Sequence, residues 1–334
     1  MSNSLKNIIY ENHSGFEPAF KGLIPVLPKR HTLILDQAIS GEAPKDFIRV
    51  YEFGRTTRKS NPRAWIPYIA KGARKWYPNE SITEHLLNRL GDALGITVAN
   101  SKLVVDEELG QLRFLSEYFL RKSENLEHGA EIFAGYLSNG QLVDVIEKGR
   151  NTAQNYFTFQ FVIDALKHRF GHGVEGQKIL EDFVKMLCFD AVTGNNDRHT
   201  YNWGVICDLN GKRMPRFSPV FDSARGLFWN EHEDKLLSFQ GQLGMAKLEK
   251  YLDGSRPHTG WEGQENVNHF DLMRLINQNY PEFRSVFESI ITSENQAKML
   301  SVLEVEFEKM FSPRRYSLIK DCLNLRFQRI SNLL

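Results

Sequence analysis

Cysteine is scarce in this 334-residue chain: only Cys188, Cys207 and Cys322 occur, an odd number without CxxC spacing. That excludes a disulfide framework and offers no zinc-binding pattern; the three thiols read as buried and inert. An excess of one charge is missing too. Lys plus Arg number 42 against 41 Asp plus Glu, so no overall basic field points to nucleic acid as a direct ligand. No apolar run approaches the ~20 residues of a membrane span. The opening Met-Ser-Asn-Ser-Leu-Lys-Asn lacks a basic-then-apolar secretion pattern, which leads to an intracellular expectation. Internal repeats and low-complexity segments are absent, as are GxGxxG and GxxxxGK[ST], so a Rossmann or P-loop reading has nothing to rest on. The composition that remains, 41% hydrophobic and 25% charged, is that of an ordinary globular protein. The length suits two lobes around a cleft.

Residues 1 to about 45 are interrupted by Pro25, Pro28 and Pro44 and read as an N-terminal extension, with Thr32–Leu35 a short strand candidate. Strand patterns follow at 47–53 and 64–71, flanking a loop from Gly54 to Asn61 that is rich in hydroxyls and cations. Ser81–Leu94 predicts a helix with Glu84 in its first turn, apolar Leu86, Leu87, Leu90 and Leu94, and Gly95 as its stop. Strands are expected at 96–105 and 111–119 around an acidic turn. Beyond Leu120 helical periodicity dominates, at 152–170, 177–192 and from His269 onward. One exception is a hairpin signature at 203–221 with Asn210-Gly211 at its bend. The pattern predicts an α+β bilobal protein-kinase-like fold: an N-terminal extension (1–45), a small β-rich N-lobe (46–121) and a larger, mainly helical C-lobe (122–334).

The chemistry concentrates in Gly194-Asn195-Asn196-Asp197-Arg198-His199-Thr200-Tyr201-Asn202 and in Phe221-Asp222. Turn chemistry alone explains an isolated Asn-Asn-Asp. An aspartate five residues before an asparagine, with a second aspartate after a hairpin, is instead the spacing of a kinase catalytic loop and its metal-binding Asp. Asp197 then takes the base position, while Asn202 and Asp222 offer hard oxygens to Mg2+. Lys71 at a strand end and Glu84 on the next helix fit the phosphate-binding lysine and its partner. Backbone and side-chain donors of Gly54, Arg55, Thr56 and Thr57 are candidates for phosphate contact; an exposed basic loop is the plain alternative. His199 reads either as a group steering the loop or as a structural histidine.

Together these residues resemble the HipA-like serine/threonine kinase family. The resemblance rests on Asn195-Asn196-Asp197-Arg198-His199-Thr200-Tyr201-Asn202, on Pro219-Val220-Phe221-Asp222, and on Thr83-Glu84-His85 with Leu90 to Ile96. It implies ATP and Mg2+ as cofactors, a protein substrate with a Ser/Thr acceptor, and Glu117 and Phe119 at an adenine-binding hinge. It further implies autophosphorylation of Thr56, Thr57 or Ser60 and a toxin or effector role, the chain being cytoplasmic or delivered without a classical signal peptide. The stretch before the first lobe strand is shorter than the family's antitoxin-docking subdomain. That points to a compact branch and away from an antitoxin partner. Asp197-Arg198-His199 also matches the form used by phosphatidylinositol kinases, so a lipid or small-molecule acceptor stands as the alternative, with a catalytically inactive nucleotide-binding module as a third reading.

Overall fold

The computed structural model describes residues 8–18, 22–35, 45–56, 58–72, 75–241 and 243–334. Six strands form the first sheet: β1 (Val26–Leu27), β2 (Thr32–Leu35), β3 (Lys45–Val50), β4 (Ile66–Lys71), β5 (Ser101–Asp106) and β6 (Leu112–Glu117). Their order is β1-β5-β6-β4-β3-β2, antiparallel except for the β1–β5 pair. The segment expected to be an N-terminal extension thus supplies both edge strands. These strands carry the β-branched and aromatic residues that suit a pleated surface, and Ile48, Val50, Tyr68, Leu103, Phe114 and Leu115 are buried on its two faces.

Helix α1 (Asn79–Ala93) packs on this sheet through Ile82, Leu86, Leu90 and Leu94, a stripe at i, i+4, i+8 and i+12 that is fully or nearly buried. It starts two residues before the expected Ser81, so Glu84 lies in its second turn, not its first. Gly95, at φ +72°, ends it: Ile96 N–H reaches Gly91 O at 2.9 Å and Gly95 N–H reaches Asp92 O at 3.1 Å, the two bonds of a Schellman cap.

The second half is helical: α2 (Gly129–Leu137), α3 (Gly140–Glu147), α4 (Arg150–Tyr156), α5 (Phe159–Phe170), α6 (Val174–Thr193), α7 (Glu233–Leu236), α8 (Gly244–Asp253), α9 (His269–Asn279), α10 (Arg284–Ile290), α11 (Ser293–Val302) and α12 (Pro313–Ser331). The single helix expected at 152–170 is two, because Thr158 is extended and its hydroxyl caps α5 by accepting from Phe161 N–H at 3.2 Å. The predicted hairpin is present as β8 (Gly204–Asp208) and a two-residue β9 (Arg216–Phe217). An unforeseen strand, β7 (Glu124–His128), pairs on the other side of β8.

One hydrophobic cluster runs through both halves around α6, whose last turns are wholly buried. Helix α1 is also clamped to the C-terminal helices. Arg89 Nε and Nη2 each donate to Glu306 at 2.9 Å, and the His85 ring lies 5.6 Å from Phe307. Both partners sit in the π-helical turn Leu303–Phe307 that follows α11. Among the described residues no helix is long and apolar enough to cross a membrane.

Candidate active site

Strand register and helix packing bring Lys71, Glu84 and Asp222 together. Lys71 ends β4, and its Nζ donates to Glu84 Oε1 and to Asp222 Oδ1, both at 2.7 Å. Burial disfavours the Lys71 ammonium, yet the two carboxylates beside it carry its pKa above the ordinary lysine value. Burial also dominates at Glu84, which is 4% exposed, and pushes its pKa up to about 7 in spite of Lys71. At Asp222 the balance is reversed: desolvation opposes the charge, but Lys71 holds the pKa far below the usual carboxylate range. The Asp222 side chain remains 39% accessible. Its backbone is left-handed at φ +56°, a conformation aspartate tolerates better than most residues. The chain before it is pinned to the sheet-bearing half, since Val220 N–H donates to Thr97 O at 2.8 Å and Ala99 N–H to Val220 O at 2.9 Å.

The Gly194–Asn202 loop leaves the C-terminus of α6. Gly194, at φ +65°, is required there twice over, because a Cβ would also lie 2.7 Å from the Arg326 guanidinium. The loop is braced internally by a buried Arg198. Its Nε and Nη2 meet the two Asp190 carboxylate oxygens at 2.9 Å each, Nη1 donates to Asn202 O and Phe221 O, and Nη2 also reaches Ser223 Oγ at 2.7 Å. One side chain thus ties α6, the loop and the Asp222 segment into a unit. Arg198 is 3% exposed, and its guanidinium is taken up by these internal partners.

Asn202 donates its amide Nδ2 to Asp197 O at 2.8 Å; the amide oxygen takes no donor among the described residues. Asp197 Oδ1 pairs with Arg225 Nη1 at 3.0 Å. His199 settles as a loop-stabilising residue: its N–H donates to Asp197 O at 2.9 Å and its Nδ1 accepts from Tyr201 N–H at 3.3 Å, while burial lowers its pKa.

The loop at Gly54 lies elsewhere. In the β3–β4 register Lys45 faces Lys71 while Val50 faces Ile66, so Gly54, Arg55 and Thr56 follow the end of the hairpin roughly 16 Å from Lys71. The structure does not bring them to the Lys71 cluster. Thr56 is buried and its hydroxyl accepts from Glu52 N–H; Thr57 lies outside the described residues. Arg55 instead meets another expected site residue, Glu117, with Nη2 3.1 Å from both carboxylate oxygens. Glu117 N–H donates to Asn100 O at 2.7 Å and Tyr118 N–H to Pro67 O at 2.9 Å, whereas Phe119 N–H has no partner among the described residues. The Phe119 ring lies 5.7 Å from that of Phe221, which is 6.3 Å from His128, an apolar wall beside the strand end.

Sequence reasoning missed three contributors. Asp190 and Ser223 complete the Arg198 brace, and only their distance of eight and 25 residues from it hid them. Lys45 stands across from Lys71, and the Asp222 carboxylate acts on its ammonium against the dominant effect of burial. An apolar strand flanked by a lysine was the available signal.

Fold and cleft together define a two-lobed, protein-kinase-like scaffold. A family model described as the HipA-like C-terminal domain matches residues 37–288, and the chain belongs to that family. Among solved structures it is similar to the Helicobacter pylori proinflammatory kinase CtkA, with 15% identity, a TM-score of 0.67, and 86% of this chain and 92% of that one covered. It is also similar to a chain of the toxin–antitoxin complex of HipA, HipB and operator DNA from Shewanella oneidensis MR-1. There the identity is 14% and the TM-score 0.50, over 89% of this chain and 65% of that one. A search of curated proteins found no match.

Proposed function

We propose that this protein is an ATP- and Mg-dependent serine/threonine protein kinase that also phosphorylates itself and acts as a toxin or effector. The observation that carries the reading is the meeting of Lys71, Glu84 and Asp222 at one cleft wall, with Asp197 and Asn202 on a loop braced to the same Asp222 segment. Phosphoryl transfer asks for positioned phosphates, a held metal and a group that takes the hydroxyl proton. Lys71 is the cation for the ATP phosphates and Glu84 fixes its reach. The Phe119 N–H and the Glu117 carbonyl serve the adenine edge, with the Phe119 and Phe221 rings beside it.

The donor set fits magnesium. Asn202 has spent its amide nitrogen on Asp197 O, leaving its oxygen, and Asp222 Oδ2 is not used by Lys71; both are hard ligands. When bound, the ion neutralises charge on the phosphates. Asp197 receives the proton of the acceptor hydroxyl as its oxygen bonds to the γ-phosphorus and the bridging bond to ADP breaks. Of the expected autophosphorylation sites Thr56 is buried and Ser60 exposed. The acceptor is then Ser60 or Thr57, reached from a second molecule because the loop follows the hairpin end away from Lys71.

Incubation with labelled ATP, alone and with protein and lipid panels, followed by phosphosite mapping, tests this. Label on serine or threonine of protein that disappears in Asp197→Ala is the expected result; label on lipid alone overturns it.

A further inference from the structure

Phosphoryl transfer needs cations on the acceptor side as well as on the nucleotide side, because charge spreads over the oxygens of the group in flight. The Gly194–Asn202 loop contains a single arginine or lysine, Arg198, and that guanidinium is consumed by Asp190, Ser223 and two carbonyls. Lys71 is engaged on the other wall by Glu84 and Asp222. The cation that does touch Asp197 comes from neither place. It is Arg225, three residues after Asp222, with Nη1 3.0 Å from Asp197 Oδ1.

Arg225 is held where it stands. Its carbonyl accepts Asn196 N–H at 3.2 Å, and its guanidinium lies 5.5 Å from the centre of the Trp229 ring. The next residue, Gly226, passes so close to the loop that a Cβ there would sit 2.7 Å from Thr193 O. The side chain nonetheless keeps 31% of its surface open, and the Glu80 carboxylate of α1 acts on it from the opposite wall. Arg150, the other arginine nearby, donates to the Asn196 carbonyl at 2.7 Å and does not pair with Asp197.

We infer that Arg225 is a catalytic residue of this kinase: it orients the Asp197 carboxylate toward the acceptor hydroxyl and places its free guanidinium nitrogens on the phosphoryl oxygens during transfer. The inference rests on the kinase reading above. No atom is transferred to Arg225. The hydroxyl proton still goes to Asp197, and the arginine offsets the charge on the transferring group.

The test is steady-state kinetics of Arg225→Gln, Arg225→Lys and Arg150→Gln against a protein acceptor, with ATP binding and thermal midpoint measured in parallel. Arg225→Gln is expected to lose kcat on the order of 100-fold, as when one transition-state donor is removed, with KM for ATP within about twofold. Arg225→Lys should recover part of that loss, and Arg150→Gln should keep kcat within about threefold of wild type. The inference is overturned if Arg225→Gln keeps kcat, if its loss lies wholly in KM for ATP, or if Arg150→Gln loses as much. Should Arg225→Gln fail to fold, Arg225→Lys decides: a folded lysine variant as inactive as Asp197→Ala overturns it. A wild type that transfers no phosphate sinks the kinase reading itself; a wild type that does so with an indifferent Arg225 sinks only this inference.

Discussion

Two loops looked alike as candidates for phosphate chemistry, and the structure treats them very differently. Gly54–Asn61 is mostly exposed: its Arg55, 52% accessible, pairs with Glu117 and Glu52, and Thr56 is the one buried residue among those described. Gly194–Asn202 is anchored by a buried arginine with contacts on three segments. Glycine, hydroxyls and cations are common to many solvated loops. A site needs atoms held in place, and a loop is held by buried, satisfied polar groups more than by its composition.

The largest way to break this contrast is Asp197→Ala, expected to reduce transfer about 10³-fold while ATP still binds, since a general base contributes on that scale; Asp222→Ala should lose Mg-ATP binding as well. Calorimetry with Mg-ATP separates the two variants. Next comes Arg198→Ala. It leaves Asp190 charged and buried without its partner, and a destabilisation of about 3–5 kcal/mol is expected in denaturant titration. A near-neutral result would mean the brace is dispensable.

Glu84 sharpens the picture through pH. Its pKa near 7 means that it gains a proton as the medium turns acidic, which weakens its hold on Lys71. Activity should therefore fall roughly tenfold per pH unit below that value, and Glu84→Gln should remove this limb along with most of the rate. A wild-type profile flat through pH 7 to 5 would contradict the assignment. The smallest effect belongs to the other loop. Arg55→Ala removes an exposed pair worth about 0–1 kcal/mol and should leave kcat unchanged, a comparison read directly against Asp197→Ala.

Much of this is legible in the sequence. The α1 stripe and its glycine stop are local signals, and so is the Asp197–Asn202 spacing. Lys71 and Glu84 could be paired because a strand end and the next helix are close in any lobe of this kind. Placement of the Gly54 loop followed from connectivity that composition masked: the loop opens β4 and Lys71 closes it, so a strand length separates them. Strand β7 escaped because Glu-Asn-Leu-Glu-His has little strand propensity and pairs through its neighbour β8. Arg198 was visible as a letter, but burial and five donors in use appear only in three dimensions.

The clamp between Arg89 and Glu306 has a consequence for how such a molecule can be turned on and off. Helix α1 carries Glu84 one turn before Arg89, so any outward swing of that glutamate must pull a two-pronged ion pair out of the C-terminal helices and slide the His85 ring off Phe307. The helix behaves as a fixed ruler between the lobes, with its far end bolted to the tail of the chain. Mutations in that distant tail, far from any nucleotide, should therefore be felt at Lys71.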